Sequence, residues 1–230
     1  MMKKKIIILV SVIIILCTLC SVLLFLKTDD PVVDYTEDEL KFKNEYEKNN
    51  GVEITEGYVL KTLDIDSDNN VKYVDDNDIV DLLTNGTNVI YMGWSDCNWC
   101  RTALPILLKT LKENKIDTLY YYNFKDLRNA YENNDEENSK IYENIINIIG
   151  NDIETVFDEN STRTNEKKIL APTVVFIKDG KYVGLHFKTV DGQIKSTDNL
   201  NENQKSELRG KYQELIDRLK NNVCDADEGC

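Results

Sequence analysis

Gly93-Trp94-Ser95-Asp96-Cys97-Asn98-Trp99-Cys100-Arg101 joins two different kinds of sequence. Before it, Val89 to Met92 is an uninterrupted apolar run of strand length, the pattern of a buried strand. After it, Ala103, Leu104, Leu107, Leu108 and Leu111 recur at helical spacing, so a helix is expected from Cys97 to Glu113. A cysteine at a helix start has its thiolate favoured by the dipole and by unpaired backbone N–H groups. A second cysteine three residues on lies one turn away on the same face. The two sulfurs can bond to each other, and a mixed disulfide on the first can be resolved by the second. Cys97 is expected as the exposed attacker and Cys100 as the more buried resolver.

A bare C-x-x-C can also be half of a zinc site or a structural pair. Three features narrow it here. The strand-to-helix position suits redox work. Pro105 sits eight residues after Cys97, inside an otherwise good helix that it should kink. Ala171-Pro172-Thr173 precedes the next buried strand, where a cis proline is expected.

Outward from the motif, the pattern predicts a helix over 34–50 with Leu40, Phe42 and Tyr46 as its apolar stripe. Strand Tyr58–Ile65 is expected to turn at 66–70 and return as Val71–Val74. A short helix over 78–83 precedes the motif. Strand Leu119–Tyr122 follows it, then a helix over 130–150 and a loop over 160–168. Thr173–Ile177 and Tyr182–Phe187 flank Asp179-Gly180, a hairpin signal. Leu208, Tyr212, Leu215, Ile216 and Leu219 mark a last helix over 202–222. The order is βαβα, then a ββ hairpin, then α.

With these pieces assembled, the chain resembles the thioredoxin superfamily. The carriers are Trp94 with Cys97-Asn98-Trp99-Cys100, then Pro105, Pro172-Thr173 and the Lys178-Asp179-Gly180-Lys181 hairpin. The likeness spans roughly 58–222. More narrowly, 42–51 and 97–105 are similar to the membrane-anchored thioredoxin-like proteins of Gram-positive bacteria, which include the bacteriocin transport accessory proteins. The resemblance implies an α/β thioredoxin-like fold, a central mixed sheet flanked by helices. It also implies a disulfide oxidoreductase with Cys97 as nucleophile, Cys100 as resolver and Pro172 as a cis proline beside them. Ala171, Pro172 and Trp99 are then the substrate-binding candidates. The 71 residues between Cys100 and Pro172 leave room for a helical insertion at about 128–157. There are departures. The Trp-Cys-Gly-Pro-Cys core is absent. Thioredoxin carries a buried Asp six residues before its first Cys, and here that position is Tyr91, so the proton acceptor for Cys100 is open. Asp96 is expected to be solvated, with Arg101 able to offset its charge. Trp94 is expected to pack at the strand end, and His186, the only histidine, to be a surface or packing residue.

The chain has 230 residues, 28 of them Lys or Arg and 41 Asp or Glu, for a net charge of −13. That excludes a basic nucleic-acid-binding face. Lys3, Lys4 and Lys5 precede Ile6–Leu26, a run without a charged residue that is long enough to span a bilayer. The lysines predict a cytoplasmic N-terminus and an extracytoplasmic remainder. A cleaved signal is the alternative. The residues before Cys17 and Cys20 are bulkier than a lipobox carries, so both are read as apolar membrane cysteines. Setting aside Lys3, Lys4, Lys5 and Lys27 leaves 24 basic against 41 acidic residues, a strongly acidic, well-solvated surface.

The expected organisation is an anchor over 1–27, a juxtamembrane helical segment over 28–57, the thioredoxin-like domain over 58–222, and a tail over 223–230. Cys224 and Cys230 in that tail are read as a small-ring disulfide or a second redox pair. Asp64, Asp66, Asp68, Asn70, Lys72 and Asp75 faintly echo a calcium loop, but Asn69 stands where Gly is needed, and a plain turn is preferred. No metal or cofactor is expected. Two functions fit. One is a membrane-tethered extracytoplasmic thiol–disulfide oxidoreductase acting on cysteines of exported proteins with a redox partner protein. The other is an accessory or chaperone module for a secretion or bacteriocin system, whose cysteines matter little.

Overall fold

The computed structural model describes residues 35–133, 135–153, 155–157 and 163–221. Strand β4, Asn88–Met92, is its centre. Every residue of it is buried, which is why its sequence shows no polar alternation. The other strands in chain order are β1 (Glu53–Thr55), β2 (Tyr58–Val59), β3 (Val71–Val74), β5 (Leu119–Tyr122), β6 (Thr155–Phe157), β7 (Arg163–Lys167), β8 (Thr173–Lys178) and β9 (Lys181–Phe187). The helices are α1 (Glu37–Glu47), α2 (Ile79–Thr84), α3 (Asn98–Glu113), α4 (Lys125–Glu132), α5 (Glu136–Ile149) and α6 (Glu202–Lys220). Five strands form one mixed sheet in the order β3-β5-β4-β8-β9. β3 and β4 run parallel to β5, and β8 runs antiparallel to both β4 and β9. Helices flank this sheet: α6 packs on α3, β8 and β9, while α2 packs on β8, β9 and α5.

Local chemistry sets the element ends. Thr36 caps α1 in a capping box with Glu39, whose carboxylate accepts the Thr36 N–H at 2.7 Å. Phe42 and Tyr46 bury from α1, but Leu40, expected beside them, is exposed. Asp179 and Gly180 both have positive φ, 50° and 73°, so the two-residue loop between β8 and β9 is of the type I′ kind that matches strand twist. Gly180 is required twice over there, because a Cβ would lie 2.5 Å from the Thr84 carbonyl oxygen.

The expected hairpin between 58–65 and 71–74 does not form. β2 ends at Val59 and pairs with β1, and β3 joins β5 in parallel instead. The alternation that suggested a strand is real, since Leu60, Leu63 and Ile65 are buried. Its backbone partners are side chains, however. The N–H groups of Lys61, Leu63 and Ile65 donate to Asn98 Oδ1, Asn50 Oδ1 and Glu47 Oε1 at 2.8–2.9 Å. An extended stretch thus satisfies its donors without a neighbouring strand.

The helix expected over 130–150 is two helices, α4 and α5, and part of the stretch expected as a loop over 160–168 is β7, paired with β6. No helix among the described residues is long and apolar enough to cross a membrane. The apolar run Ile6–Leu26, with Cys17 and Cys20, lies outside the described residues, as do Cys224 and Cys230.

Candidate active site

The end of β4 delivers the chain to the motif, and the register with β8 brings the second half of the site to it. Met92 stands opposite Thr173, so Ala171 and Pro172 lie beside the strand end that leads to Cys97. The Ala171–Pro172 peptide bond is cis. The Ala171 carbonyl oxygen is 3.8 Å from Cys97 Sγ.

Cys97 is the N-cap of α3, and its sulfur accepts the Cys100 backbone N–H at 3.4 Å. Both cysteines are thiols. Cys100 is fully buried, and Cys97 keeps 8 % of its surface. Cys97 is therefore the more accessible of the two, but it is a recessed group, not the freely exposed one expected. The two thiols are pushed apart in acidity. The Cys100 thiol donating to Cys97 sulfur lowers the Cys97 pKa from the ordinary thiol value, aided by the Cys100 and Trp99 N–H groups and opposed by burial and by Asp96. Burial pushes Cys100 well up, and the neighbouring Cys97 adds to this. The arrangement makes Cys97 the more acidic sulfur and holds Cys100 as the thiol, the division of labour that exchange chemistry needs.

Cys97 opens onto a cleft of about 680 Å³, lined among others by Trp94, Trp99, Ala171, His186 and Ile194. Trp94 packs edge-to-face on Phe124, with centroids 5.2 Å apart, and the Arg128 guanidinium lies over it. Trp99 is half-buried at the cleft wall. His186 is a packing residue: its Nε2 is 2.7 Å from the Thr189 carbonyl oxygen, its ring meets Tyr212 edge-on, and burial lowers its pKa. Pro105 falls within α3 without ending it.

Three residues behave differently from expectation. Asp96 is not simply solvated: it pairs with Lys125 at 2.5 Å. Arg101 does not offset Asp96. It turns away into the protein, where only 1 % of its surface remains exposed, and donates to the carbonyl oxygens of Lys61, Tyr46 and Ser95 and to Asn50 Oδ1. Tyr91, at the position where a carboxylate was sought, places its hydroxyl against Cys100. A Cβ on Gly93 would meet that oxygen and the Cys100 sulfur at 3.0 Å each, so any larger residue would have to push one of them aside by a few tenths of an ångström. The Tyr91 hydroxyl is also 3.0 Å from that of Tyr46.

Asn98, inside the motif, was missed as a structural residue. It is fully buried, donates to the Val59 carbonyl and accepts the Lys61 N–H, and its own N–H donates to the Tyr58 hydroxyl. The signal available for Arg101 was its place on the apolar stripe of α3, three residues before Leu104. For Asn98 the sequence holds no comparable sign.

The aspartates of the calcium-like stretch hold a lysine. Lys112 Nζ lies 3.0 and 3.1 Å from Asp66 and Asp68. Among the described residues no group of three or more His, Cys, Asp or Glu is placed to hold a metal. No protein-family model matches the chain, and no curated protein matches it significantly.

Proposed function

We propose that this chain is a thioredoxin-like thiol–disulfide oxidoreductase, held at a membrane by the apolar segment Ile6–Leu26 and acting on cysteines of exported proteins. The observation that carries the reading is the asymmetric pair. Cys97 is the helix cap with a lowered pKa, facing a cleft, and Cys100 is the sealed thiol behind it. Two further features support it. The sheet order β3-β5-β4-β8-β9, with the motif between β4 and α3, is compatible with a thioredoxin-like fold. The Ala171 carbonyl beside Cys97 is a backbone acceptor against which an extended substrate segment can align.

In such a reaction a disulfide passes between substrate and protein by two displacements. One forms a mixed disulfide on Cys97, and the other resolves it through Cys100 or through the second substrate sulfur. No cofactor is needed for either step. The test is exchange between the full-length protein and a peptide carrying a cysteine pair, followed by mass spectrometry. Cys97→Ala should abolish it. Retained cellular function in that variant would favour the accessory-module reading instead.

A further inference from the structure

Ile194 is the most exposed large apolar residue among those described, with 84 % of its surface free. A lone exposed isoleucine is ordinary on a protein surface. This one lines the same cleft as Cys97, Trp99 and Ala171, and its backbone is braced on both sides. Gln193, just before it, is buried. The Gln193 amide accepts the Thr189 hydroxyl at 2.6 Å and donates to the carbonyl oxygens of Lys195 and Asp198 at 3.1 and 2.9 Å. The Lys195 N–H donates to the Asp198 carboxylate at 3.0 Å, and the Lys61 ammonium donates to the Asp198 carbonyl oxygen. Val190 and Leu200 bury at the two ends of the loop. A buried side-chain amide with its bonds made holds a loop in one conformation, and in this one Ile194 is left outside.

We infer that Ile194 is a specificity-determining residue, which seats a bulky apolar side chain lying within two positions of the substrate cysteine. This rests on the oxidoreductase reading above and names the class of segment it acts on: extended, not yet folded polypeptide whose cysteine has large aliphatic or aromatic neighbours. Charge does not make the selection. Arg128, Lys188 and Lys211 line the cleft, and so do Asp152, Asp191 and Glu207, three charges of each sign in a chain that is otherwise strongly acidic. Arg128 lies over the Trp94 ring and pairs with Glu132, Asp152 accepts the Tyr182 hydroxyl at 2.6 Å, and the Lys188 ammonium lies over the Phe187 ring. Asp191, Glu207 and Lys211 are exposed, so water and salt screen them. A charged neighbour of the substrate cysteine therefore meets no net charge of opposite sign, whereas an apolar one buries surface on Ile194 and Trp99.

The cleft limits how far from the cysteine that side chain can be. Its volume of about 680 Å³ is room for a few side chains. In an extended segment aligned on the Ala171 carbonyl, side chains two positions apart share a face at a spacing of about 7 Å, so the neighbours of the reacting cysteine enter the cleft with it. Because the Ile194 backbone is fixed before binding, the contact costs little ordering. It breaks no bond and moves no electron. It holds the segment while the substrate sulfur is bonded to Cys97 Sγ, so it acts alike in either direction of the exchange.

The test uses the full-length protein in detergent and two peptides, each closed by one internal disulfide. The two residues on the outer side of each cysteine are Leu in one peptide and Ser in the other. Single-turnover rate constants are read by alkylation and mass spectrometry in both directions, reduced protein with oxidised peptide and oxidised protein with reduced peptide. In the first, two electrons pass to the peptide as the Cys97–Cys100 bond forms, and in the second they return. Wild type should exchange with the Leu peptide about fivefold faster than with the Ser peptide, or more, and a smaller ratio overturns the inference. Ile194→Ser should at least halve that ratio. A smaller change overturns the inference too, including an equal slowing of both peptides, which would mean that Ile194 acts without touching the segment. Ile194 is exposed, so its replacement leaves the core intact. Absence of exchange with either peptide sinks the oxidoreductase reading as well, whereas exchange without discrimination sinks only this inference.

Discussion

Behind Cys100, residues 45–61 meet the motif through buried polar groups: Arg101 on the carbonyls of Tyr46 and Lys61, Asn98 on Val59 and Lys61, and Tyr46 on Tyr91. In front of Cys97, the wall is Trp94, Trp99, Ala171 and His186 around an open cleft. The first region has satisfied donors and no room, and the second has room and few bonds. Polar groups buried with full partners hold one geometry, because leaving any of them unpaired costs free energy. The cleft wall mixes these rings with charged side chains, Arg128, Asp152, Asp191, Glu207 and Lys211 among them, and keeps room for a partner. In the proposed exchange a substrate therefore reaches the pair only from the cleft side.

The largest effect that sharpens this contrast is on the sulfurs themselves. Cys97→Ala should remove exchange with a protein dithiol entirely. Cys100→Ala should keep the first displacement and accumulate the mixed disulfide on Cys97, visible as an adduct by mass spectrometry. Exchange surviving in Cys97→Ala would mean that Cys100 is reachable, and the contrast between a sealed side and an open side would fall.

Next comes stability. Arg101→Met takes a donor from four buried acceptors but leaves two without one, the Lys61 and Ser95 carbonyl oxygens, since the Tyr46 oxygen keeps the Asn49 N–H and Asn50 Oδ1 the Leu63 N–H; it should cost about 2–3 kcal/mol, on the order of 1 kcal/mol or more for each unsatisfied group. Trp99→Ala, on the cleft wall, should cost about 1 kcal/mol, because that ring is only half-buried. Urea unfolding of both variants measures the difference. Equal costs would show that the two regions are held alike.

The difference between the regions also explains what could be read in the sequence. Val89–Met92, the helical spacing after Cys97 and the Asp179-Gly180 turn are local patterns, and the central strand, α3 and the β8–β9 loop follow from them. Cys97, Cys100 and the Ala171-Pro172 pair stand out because their spacing and position carry chemical meaning. Residues 60–70 misled because alternation reports burial, and their hydrogen-bond partners are side chains 13 to 37 positions away. Arg101 was read only as a charge able to offset Asp96, and Asn98 was given no role of its own in the motif. Their roles depend on a segment roughly forty to fifty residues earlier folding over the helix start, a long-range fact no local period records. Asp96 was misjudged for the same reason, since Lys125 reaches it from α4.

Asn98→Ala tests the sealed side in a milder way. It removes the bonds to Val59 and Lys61, so a loss of about 1–2 kcal/mol is expected. It should also loosen residues 52–61, read as faster cleavage there in limited proteolysis. A stability loss without new cleavage would mean that other bonds, such as Gly51 N–H to Leu60 O at 3.1 Å, suffice to hold the segment.

The smallest expected effect lies at the border between the two regions, at the Asp96–Lys125 pair. Asp96 raises the Cys97 pKa by its negative charge, against the Cys100 thiol and the backbone N–H groups that lower it. Lys125 cancels part of that charge. Lys125→Ala should therefore leave the carboxylate free to disfavour the thiolate, and the Cys97 pKa should rise. The sign follows for reactivity. Below the Cys97 pKa the thiolate fraction falls, so alkylation slows. Well above it both proteins are fully ionised and react alike. Both partners are partly exposed, so the change should be modest, about two- to threefold in alkylation rate near pH 7. Asp96→Asn should shift the profile the other way, and high salt should shrink both effects. If Lys125→Ala slows Cys97 equally at all pH values, the lysine acts by shaping the cleft, because a charge acting through the pKa cannot reduce the rate of a thiol that is already ionised.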